Sequence, residues 1–337
     1  MKLMFLLFLC LLIPLDLEVQ KKTSFKLPEK LAIFYGYPSL VNSAGGDLKA
    51  ALKAFSLYDV IVFGDGLEFP DIRQDRQPPG VGQLEHRNTK RLIAQLKKVN
   101  PSVKIFGYVD LGNSQKLSFD EIRSRIDLWI EMRVDGIFLD EAGYDFGVTR
   151  SRQNQVISYI HSRQLGAFLN AYNPEDIFSS NVVALNSTGG GNPEGIATVA
   201  NNNDYYLLES FQIKDGEYED AKLWYQRTAK ATTYRKQFGT KIFAVTTSRN
   251  RFSQAMSDYA WWTATLSGLD GYGWGEPSFS SQNSLLPWRA RPDSTIVSSK
   301  RFTSEILVEG ATYRRHTDQG TVVVDTLSHK GYFLMKD

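Results

Sequence analysis

Residues 134–147 read V-D-G-I-F-L-D-E-A-G-Y-D-F-G, and the rest of the chain can be interpreted outward from this stretch. The apolar run at 136–139 predicts a short strand that is buried on both faces. It ends abruptly at Asp140 and Glu141, and two carboxylates there are costly unless the strand opens onto an aqueous cleft. Because adjacent strand residues point to opposite faces, only one of the two acids can face that cleft. A buried strand that ends in acids and is followed by a glycine-containing loop is typical of the catalytic centre of an α/β barrel.

Seven further apolar runs of the same kind flank this strand. They lie at residues 31–36, 58–63, 103–109, 166–169, 204–208, 241–245 and 271–274. Helical periodicity between them predicts helices at 47–56, 89–99, 118–133, 151–163, 218–237 and 253–266. Eight βα units in roughly 250 residues predict a (β/α)8 TIM barrel. A doubly wound open sheet is the alternative, but the sequence Y-G-Y-P-S-L-V-N after the first strand matches neither a dinucleotide fingerprint nor a P-loop.

The residue pattern of the sequence changes after Pro287. Residues 305–308, 311–315 and 321–324 are β-rich and are separated by turns at 309–310 and 318–320. They predict a small antiparallel β tail, too short to be a domain of its own, that packs on the barrel. The domain boundaries that we expect are a leader at 1–19, the barrel at 20–286 and the tail at 287–337. The Gly- and Asn-rich insert at 179–203 has no assignment.

The first fifteen residues, M-K-L-M-F-L-L-F-L-C-L-L-I-P-L, form an apolar run that follows a single lysine. This run is too short for a membrane-spanning helix and is typical of a secretory signal sequence. No small-x-small cleavage triplet follows it, so an uncleaved anchor is the alternative. We expect a secreted or periplasmic protein; under the anchor alternative, this segment alone holds it at the membrane. Cys10 is the only cysteine, and the exported part therefore has neither disulfides nor thiol chemistry.

The overall charge argues against a nucleic-acid partner. The net charge of the 337 residues is only +2, and no basic block is present that could follow a phosphate backbone. The chain is rich in aromatic residues, with 16 Tyr, 20 Phe and 6 Trp, which suit a core and also suit stacking against sugar rings. We expect a monomer with a polysaccharide as its partner.

The residues at the carboxyl ends of the predicted strands converge on one face of a barrel and form the candidate site. They are Tyr35, Tyr37, Asp65, Tyr108, Asp110, Asp140, Glu141, Asn170, Tyr172, Glu209, Thr246, Thr247, Trp274 and Glu276. Carboxylates and aromatics dominate, and His, Cys and Lys are missing, which excludes a Ser-His-Asp triad, a Schiff-base lysine and a histidine metal site here. Glycoside hydrolases use paired carboxylates for catalysis, together with aromatic rings that stack on the sugars. Crowding of the acids keeps at least one of them protonated near neutral pH.

Simpler interpretations stand beside this one. Asp65 and Asp110 are also what a helix cap or a turn would use, and strand-end Tyr and Trp side chains often only pack. Glu209 is different, because it lies between Leu208 and Phe211 in D-Y-Y-L-L-E-S-F, where a charge would otherwise be buried. An acidic divalent-metal site built from Asp110, Asp140, Glu141 and Glu209 is the chemical rival. No loop shows a recognised metal-ligand spacing, so we expect neither a metal nor a cofactor.

At G-I-F-L-D-E the sequence resembles the spherulin-4-like and endo-α-1,4-polygalactosaminidase group of glycoside hydrolases. The first strand with Tyr35, the run G-A-F-L-N that ends at Asn170, and L-L-E that ends at Glu209 complete the resemblance, which covers roughly residues 31 to 275. It implies a barrel enzyme that acts on galactosamine-containing exopolysaccharides. It also implies that Asp140 and Glu209 are the catalytic carboxylates and that Glu141 is a supporting acid. The chain departs from the group after the fifth strand, where N-A-Y-N-P replaces the frequent Asn-Pro-Gly.

The sequence therefore predicts an exported, endo-acting glycoside hydrolase of an amino-sugar exopolysaccharide such as a biofilm polymer. Asp140, Glu209 and Glu141 are the expected catalytic residues. The expected substrate-binding residues are Tyr35, Tyr37, Asp65, Tyr108, Asp110, Asn170, Tyr172, Trp274 and Glu276. The alternatives are a non-catalytic polysaccharide-binding barrel in export or adhesion, and a metal-dependent polysaccharide deacetylase or phosphodiesterase.

Overall fold

A computed structural model describes residues 24–70, 81–249, 252–288, 292 and 295–336. Eight parallel strands close into a barrel in which each strand pairs with its neighbours in chain order, and the last pairs with the first. They are β1 (Glu29–Phe34), β2 (Val60–Phe63), β3 (Lys104–Asp110), β4 (Gly136–Asp140), β5 (Gly166–Asn170), β6 (Tyr205–Leu208), β7 (Lys241–Val245) and β8 (Gly271–Gly273). The predicted TIM barrel is confirmed. The predicted leader, including Cys10, lies outside the described residues.

Helices cover the outside of the barrel. They are α1 (Leu48–Phe55), α2 (Val81–Val99), α3 (Phe119–Glu131), α4 (Arg150–Ser162), α5 (Pro174–Phe178), α6 (Ala221–Phe238) and α7 (Gln254–Ser267). A capping box forms at the start of α3, where the Ser118 side chain accepts from the Glu121 backbone N–H and the Glu121 side chain accepts from the Ser118 backbone N–H. Ser253 likewise caps α7.

The sequence prediction differs from the structure at three elements. Helix α2 begins at Val81, eight residues before the predicted start. The short helix α5 follows β5 and was not predicted. A small antiparallel hairpin, Ile213–Lys214 with Glu217–Tyr218, extends the connection after β6 and was not predicted either.

Alternate strand residues fill the inside of the barrel. The inward positions of β1 to β7 carry branched and aromatic side chains, which form one buried cluster: Leu31, Ile33, Val60, Val62, Phe106, Tyr108, Phe138, Phe168, Tyr205, Leu207, Phe243 and Val245. Strand β8 contributes glycines instead, since Gly271 and Gly273 pair with Phe243 and Val245. A Cβ atom on Gly271 would overlap the Phe243 ring, so the glycine leaves space for that large neighbour.

The carboxyl-terminal segment forms a separate antiparallel sheet, as predicted. Its strands are β9 (Leu307–Glu309), β10 (Thr312–His316), β11 (Gly320–Asp325) and β12 (Lys330–Met335), in that spatial order. The sequence did not predict the fourth strand. The sheet packs against α7. The predicted domain boundary at residue 287 stays a prediction. Among the described residues, no helix has the length and apolar character needed to cross a membrane.

Candidate active site

Two acids lie side by side at the carboxyl ends of β3 and β4. Asp110 and Asp140 are register partners on these neighbouring strands. Asp110 continues the inward series of Phe106 and Tyr108, and Asp140 continues that of Phe138. Strand alternation therefore brings both carboxyl groups to the mouth of the barrel.

Asn170, the last residue of β5, joins the two acids that the sequence predicts to be catalytic. Its side-chain amide nitrogen donates to Asp140 Oδ1 at 2.8 Å and to Glu209 Oε2 at 2.6 Å. The two carboxylate oxygens each lie within 2.8 Å of the same nitrogen, so they are less than twice that distance apart. The structure thus brings Asp140, Asn170 and Glu209 together from three adjacent strands.

The two bridged carboxyl groups have different surroundings. Burial raises the pKa of Asp140, but hydrogen bonds from Asn170, from the Glu141 backbone N–H and from the Tyr108 hydroxyl act against this by favouring the charged form. Burial and the neighbouring Asp140 charge raise the pKa of Glu209 to about 7. Hydrogen bonds therefore favour the charged form of Asp140, whereas burial and a neighbouring like charge favour the neutral form of Glu209.

Asp110 is a third acid beside this pair. Its residue is 1% exposed, and within the described part of the chain its Oδ1 atom has no hydrogen-bond partner. Burial, then Glu141 and Asp140, raise its pKa to about 7. Asp110 therefore adds a buried carboxyl group, with hydrogen-bonding capacity that is not used, next to Asp140.

Glu141 turns away from the pair. Its backbone is left-handed at φ 52°, and its carboxylate accepts hydrogen bonds from the backbone and hydroxyl of Ser114 in the loop after β3. A Cβ atom on Gly112 would lie 2.6 Å from the Glu141 Cβ, so a glycine is needed where this loop passes. Glu141 contributes its charge to the site and holds the β3 loop against the β4 loop.

Aromatic rings form one wall of the site. The Tyr35 ring packs edge-on against Tyr108 at 5.3 Å between centroids, and the Tyr108 hydroxyl bonds to Asp140. Burial first, and then the Asp140 charge, raise the pKa of Tyr35. Phe279, which the sequence analysis missed, packs on Tyr35 at 5.2 Å from the turn after β8. Its backbone carbonyl accepts from the Tyr35 N–H, and three successive residues of this turn, 278–280, have positive φ.

An arginine links two further acids beside this wall. Arg125 of α3 pairs with Asp65, an expected residue, and lies 3.4 Å from Glu68. The Glu68 side chain is fully buried, and burial followed by the Asp65 charge raises its pKa to about 8. Neither Glu68 nor Arg125 was predicted. The only signal for Glu68 was a charge among apolar residues in G-L-E-F, at the start of a segment that looked like a polar loop.

A second arginine that the sequence analysis missed contacts both Tyr172 and Glu209. The Arg227 guanidinium of α6 lies 4.0 Å from the Tyr172 ring centroid and donates to the Glu209 backbone carbonyl at 3.0 Å. Arg227 also pairs with Glu219. The ring is half-buried, and the Lys214 ammonium lies 5.4 Å from its centroid.

Three expected residues lie elsewhere on the rim. Tyr37 leans toward α2, where burial and then Glu85 raise its pKa. Trp274 follows Gly273 on the opposite, helix-facing side of β8, and its ring packs edge-on against Phe252. With Trp261 it lines a cavity beside the start of β1, so its ring lies outside the barrel rather than at its mouth. Glu276 is buried at the start of the turn that carries Phe279.

Within the described residues, no group of three or more His, Cys, Asp or Glu side chains is arranged to hold a metal ion. The acids at the mouth are held instead by Asn170, Ser114 and Arg125.

Comparisons with known proteins leave the family open. No family model matches the chain, and no curated protein matches it either. Among solved structures, the glycoside hydrolase domain of PelA from Pseudomonas aeruginosa is similar with 11% identity and a TM-score of 0.42, over 77% of this chain and 100% of that one. The endo-beta-1,4-glucanase Xac0029 from Xanthomonas axonopodis pv. citri is similar with 13% identity and a TM-score of 0.41, over 80% and 94%.

A putative dihydrodipicolinate synthetase from Pseudomonas aeruginosa is similar to a comparable degree, with 10% identity and a TM-score of 0.39 over 74% and 70%. The similar structures therefore include glycoside hydrolases and barrel enzymes of other kinds. Likenesses of this strength carry no argument about activity, and the resemblance to the spherulin-4-like group stays a prediction.

Proposed function

We propose that this protein is a glycoside hydrolase in which Asp140 and Glu209 are the two catalytic carboxyl groups. The observation that carries the proposal is the shared amide of Asn170, which donates to both acids at 2.8 and 2.6 Å at the mouth of the barrel. Cleavage of a glycosidic bond requires two carboxyl groups that are held close to each other in this manner.

The surroundings of the two acids support different roles. Asp140 accepts three hydrogen bonds, which favour its charged form, so it is suited to attack the anomeric carbon. Glu209, whose pKa lies at about 7, protonates the glycosidic oxygen as its bond to that carbon breaks. Glu209 then takes a proton from the water that displaces Asp140.

The separation of the acids supports retention of configuration. Retaining enzymes hold their carboxyl groups about 5 to 5.5 Å apart, whereas inverting enzymes leave roughly 6.5 to 9.5 Å for a water molecule. Bonds of 2.8 and 2.6 Å to one shared nitrogen limit the distance between the bonded oxygens of Asp140 and Glu209 to at most 5.4 Å, below the range of inverting enzymes.

The substrate that we propose is an exopolysaccharide that contains amino sugars of the galactosamine type and is cut at internal bonds. Five acids, Asp65, Asp110, Asp140, Glu141 and Glu209, surround the mouth, and such a surface attracts partly deacetylated, cationic polymers. Tyr35, Tyr108 and Tyr172 offer rings to the sugar faces. We also propose that residues 1–19 direct export.

The test is a reducing-end assay of the purified protein on a panel of amino-sugar and neutral polysaccharides, with and without chelator. Wild type is compared with Asp140→Asn and Glu209→Gln, and Asp120→Asn is the matched control because its side chain is 89% exposed at the start of α3. We expect new reducing ends with wild type and the control, no effect of chelator, and a loss of at least about 1,000-fold in both site variants.

Other outcomes identify the alternatives. Retention of a polymer on the protein without cleavage, unchanged in Asp140→Asn, would favour a polysaccharide-binding barrel. Release of acetate that chelator abolishes would favour a metal-dependent deacetylase. Either result would remove the catalytic roles of Asp140 and Glu209.

A further inference from the structure

Arg227 makes three contacts that converge on the segment carrying the proposed acid. Its Nη2 donates to the Glu209 backbone carbonyl at 3.0 Å, and its Nη1 donates to Glu219 Oε1 at 3.2 Å. The face of the same guanidinium covers the Tyr172 ring at 4.0 Å. The residue is only 6% exposed, so its charge is largely removed from water.

The chain geometry at Glu209 explains why this carbonyl needs a donor. Strand β6 ends at Leu208, and Ser210 adopts a left-handed backbone with φ 55°. The left-handed residue interrupts the strand directly after Glu209, and a backbone carbonyl away from water requires a partner. Arg227 supplies that partner from the helix outside the barrel.

We propose that Arg227 is a positioning residue that fixes the Glu209 segment and the Tyr172 ring relative to each other, so that acid and ring present one surface to a sugar. This inference rests on the proposed function and extends it to a residue of α6. The planar, multi-donor guanidinium suits the task because it bonds in its plane and stacks through its face at the same time.

Glu219 holds Arg227 in place from the other side. The side chains of this pair are 8% and 4% exposed, and the Glu219 backbone N–H bonds to the Gln212 carbonyl in the segment that follows Glu209. The ion pair therefore ties α6 to both ends of the hairpin connection after β6. Breaking it would leave one buried charge without its partner.

Arg227 acts on Glu209 through its charge as well as through its hydrogen bond. The charged and titratable groups that face Glu209 are Asp140 from β4, Tyr35 from β1, Asp215 from the hairpin and Arg227 from α6. Asp140 and Asp215 raise the pKa of Glu209, and Arg227 lowers it. Removing the positive charge must therefore move the titration of Glu209 to higher pH.

The experiment compares Arg227→Gln, which loses the charge, with Arg227→Lys, which keeps the charge but loses the fork and the stacking face. Arg235→Gln is the matched control, because Arg235 lies on the same helix but bonds to Gly268 and Asp270 at the other end of the barrel. Carbon-13 NMR follows the Glu209 carboxyl titration in substrate-free protein, with the signal assigned by its loss in Glu209→Gln. Turnover is measured on the best polymer of the panel.

We expect Glu209 to titrate at higher pH in Arg227→Gln and near the wild-type pH in Arg227→Lys, with turnover reduced about 10- to 100-fold in both variants. A folded Arg227→Gln protein with unchanged Glu209 titration and turnover would overturn the proposal. So would turnover that falls only in proportion to the folded fraction seen by circular dichroism. Because the titration needs no substrate, it decides whether the Arg227 charge acts on Glu209 even if no polymer is cleaved and the proposed function fails.

Discussion

Asn170 uses its side-chain nitrogen on two carboxylates at once, Asp140 and Glu209. A hydrogen bond to a charged oxygen is a strong one, and the two bonds hold together a pair of acids that repel each other whenever both are ionised. The geometry of the proposed reaction therefore depends on a neutral residue. At the scale of single residues, Asn170 is the part whose removal disturbs the pair without removing either acid.

Asn170→Ala tests this dependence. We expect a folded protein whose turnover falls roughly 100-fold, because the two carboxyl groups lose their fixed separation. Asn173→Ala is the control, since Asn173 starts α5 without a side-chain capping bond. Equal turnover in wild type, Asn170→Ala and Asn173→Ala would show that the bridge has no catalytic importance.

The pH dependence of activity follows from Glu209. It must be protonated to act as the acid, and its pKa lies at about 7, so kcat/KM should fall as the pH rises above about 7. Asp140→Glu retains the negative charge that raises this pKa, whereas Asp140→Asn removes it and should lower the Glu209 pKa in an NMR titration. A rate that keeps increasing to pH 9 would contradict Glu209 as the acid.

The sequence predicted the residues of the site that follow directly on strands, and it missed those that do not. Asp140, Asn170 and Glu209 each end a buried run, and parallel strands in a barrel bring such ends together. Glu68, Arg125 and Arg227 lie in a loop and on helix faces, where a charged side chain normally faces solvent. Only the packing of those elements shows that these side chains turn inward.

At the scale of elements, the strands were predictable because they are buried on both faces and therefore carry continuous apolar runs. The predicted start of α2 was eight residues too late. Residues 81–88, V-G-Q-L-E-H-R-N, have little apolar periodicity and follow a proline-rich segment, so the sequence did not indicate that they are helical. The hairpin after β6 has only two residues in each strand, too few for alternation to be recognised. Trp274 was expected at the mouth because it follows directly on a predicted strand. Strand residues alternate between the inside and the outside of the barrel, and Gly271 and Gly273 take the inside positions, so Trp274 lies on the outside.

The connection between α4 and β6 gives a prediction about stability. His161 Nε2 bonds to both oxygens of the buried Asp204, at 2.9 and 3.0 Å, and this bond raises the His161 pKa. A raised folded-state pKa stabilises the protein fully below the unfolded value of about 6.5, and the contribution is lost as the pH rises through the folded-state pKa.

His161→Gln should therefore lower the free energy of unfolding more at pH 5.5 than at pH 8.5, by about 1 to 2 kcal/mol at the lower pH. Urea denaturation at the two pH values measures the difference, and His316→Gln in the exposed part of the tail is the control. A loss of the same size at both pH values would mean that the charge of His161 does not contribute.

At the scale of the whole molecule, the tail sheet and the barrel share close contacts. Strand β12 passes α7 so tightly that a Cβ on Gly331 would lie 2.2 Å from the Trp262 Cβ. Arg315 of β10 donates to the Leu266 carbonyl at 3.1 Å and covers the Phe302 ring. The His329 ring stacks on Tyr218 of the hairpin after β6 at 3.6 Å, so the tail also contacts the connection that follows Glu209.

We expect the tail and the barrel to unfold together in a single transition. Gly331→Val should separate β12 from α7 and lower the free energy of unfolding by about 3 kcal/mol, since a branched side chain cannot fit there. Leu327→Ala, in the exposed turn of the same sheet, should change it by less than about 0.5 kcal/mol. Two separate calorimetric transitions in wild type would show that the tail folds independently.

The most direct test of the bridged carboxyl pair is the anomeric configuration of the first product. Proton NMR during the first minutes of cleavage, before the sugar mutarotates, reads it on whichever polymer wild type cuts. The prediction is that the product keeps the configuration of the original bond and that Asp140→Asn gives no product, because the bonded oxygens of Asp140 and Glu209 lie too close together for the water molecule of an inverting reaction. Product of the opposite configuration, or product formed equally by Asp140→Asn, would contradict it.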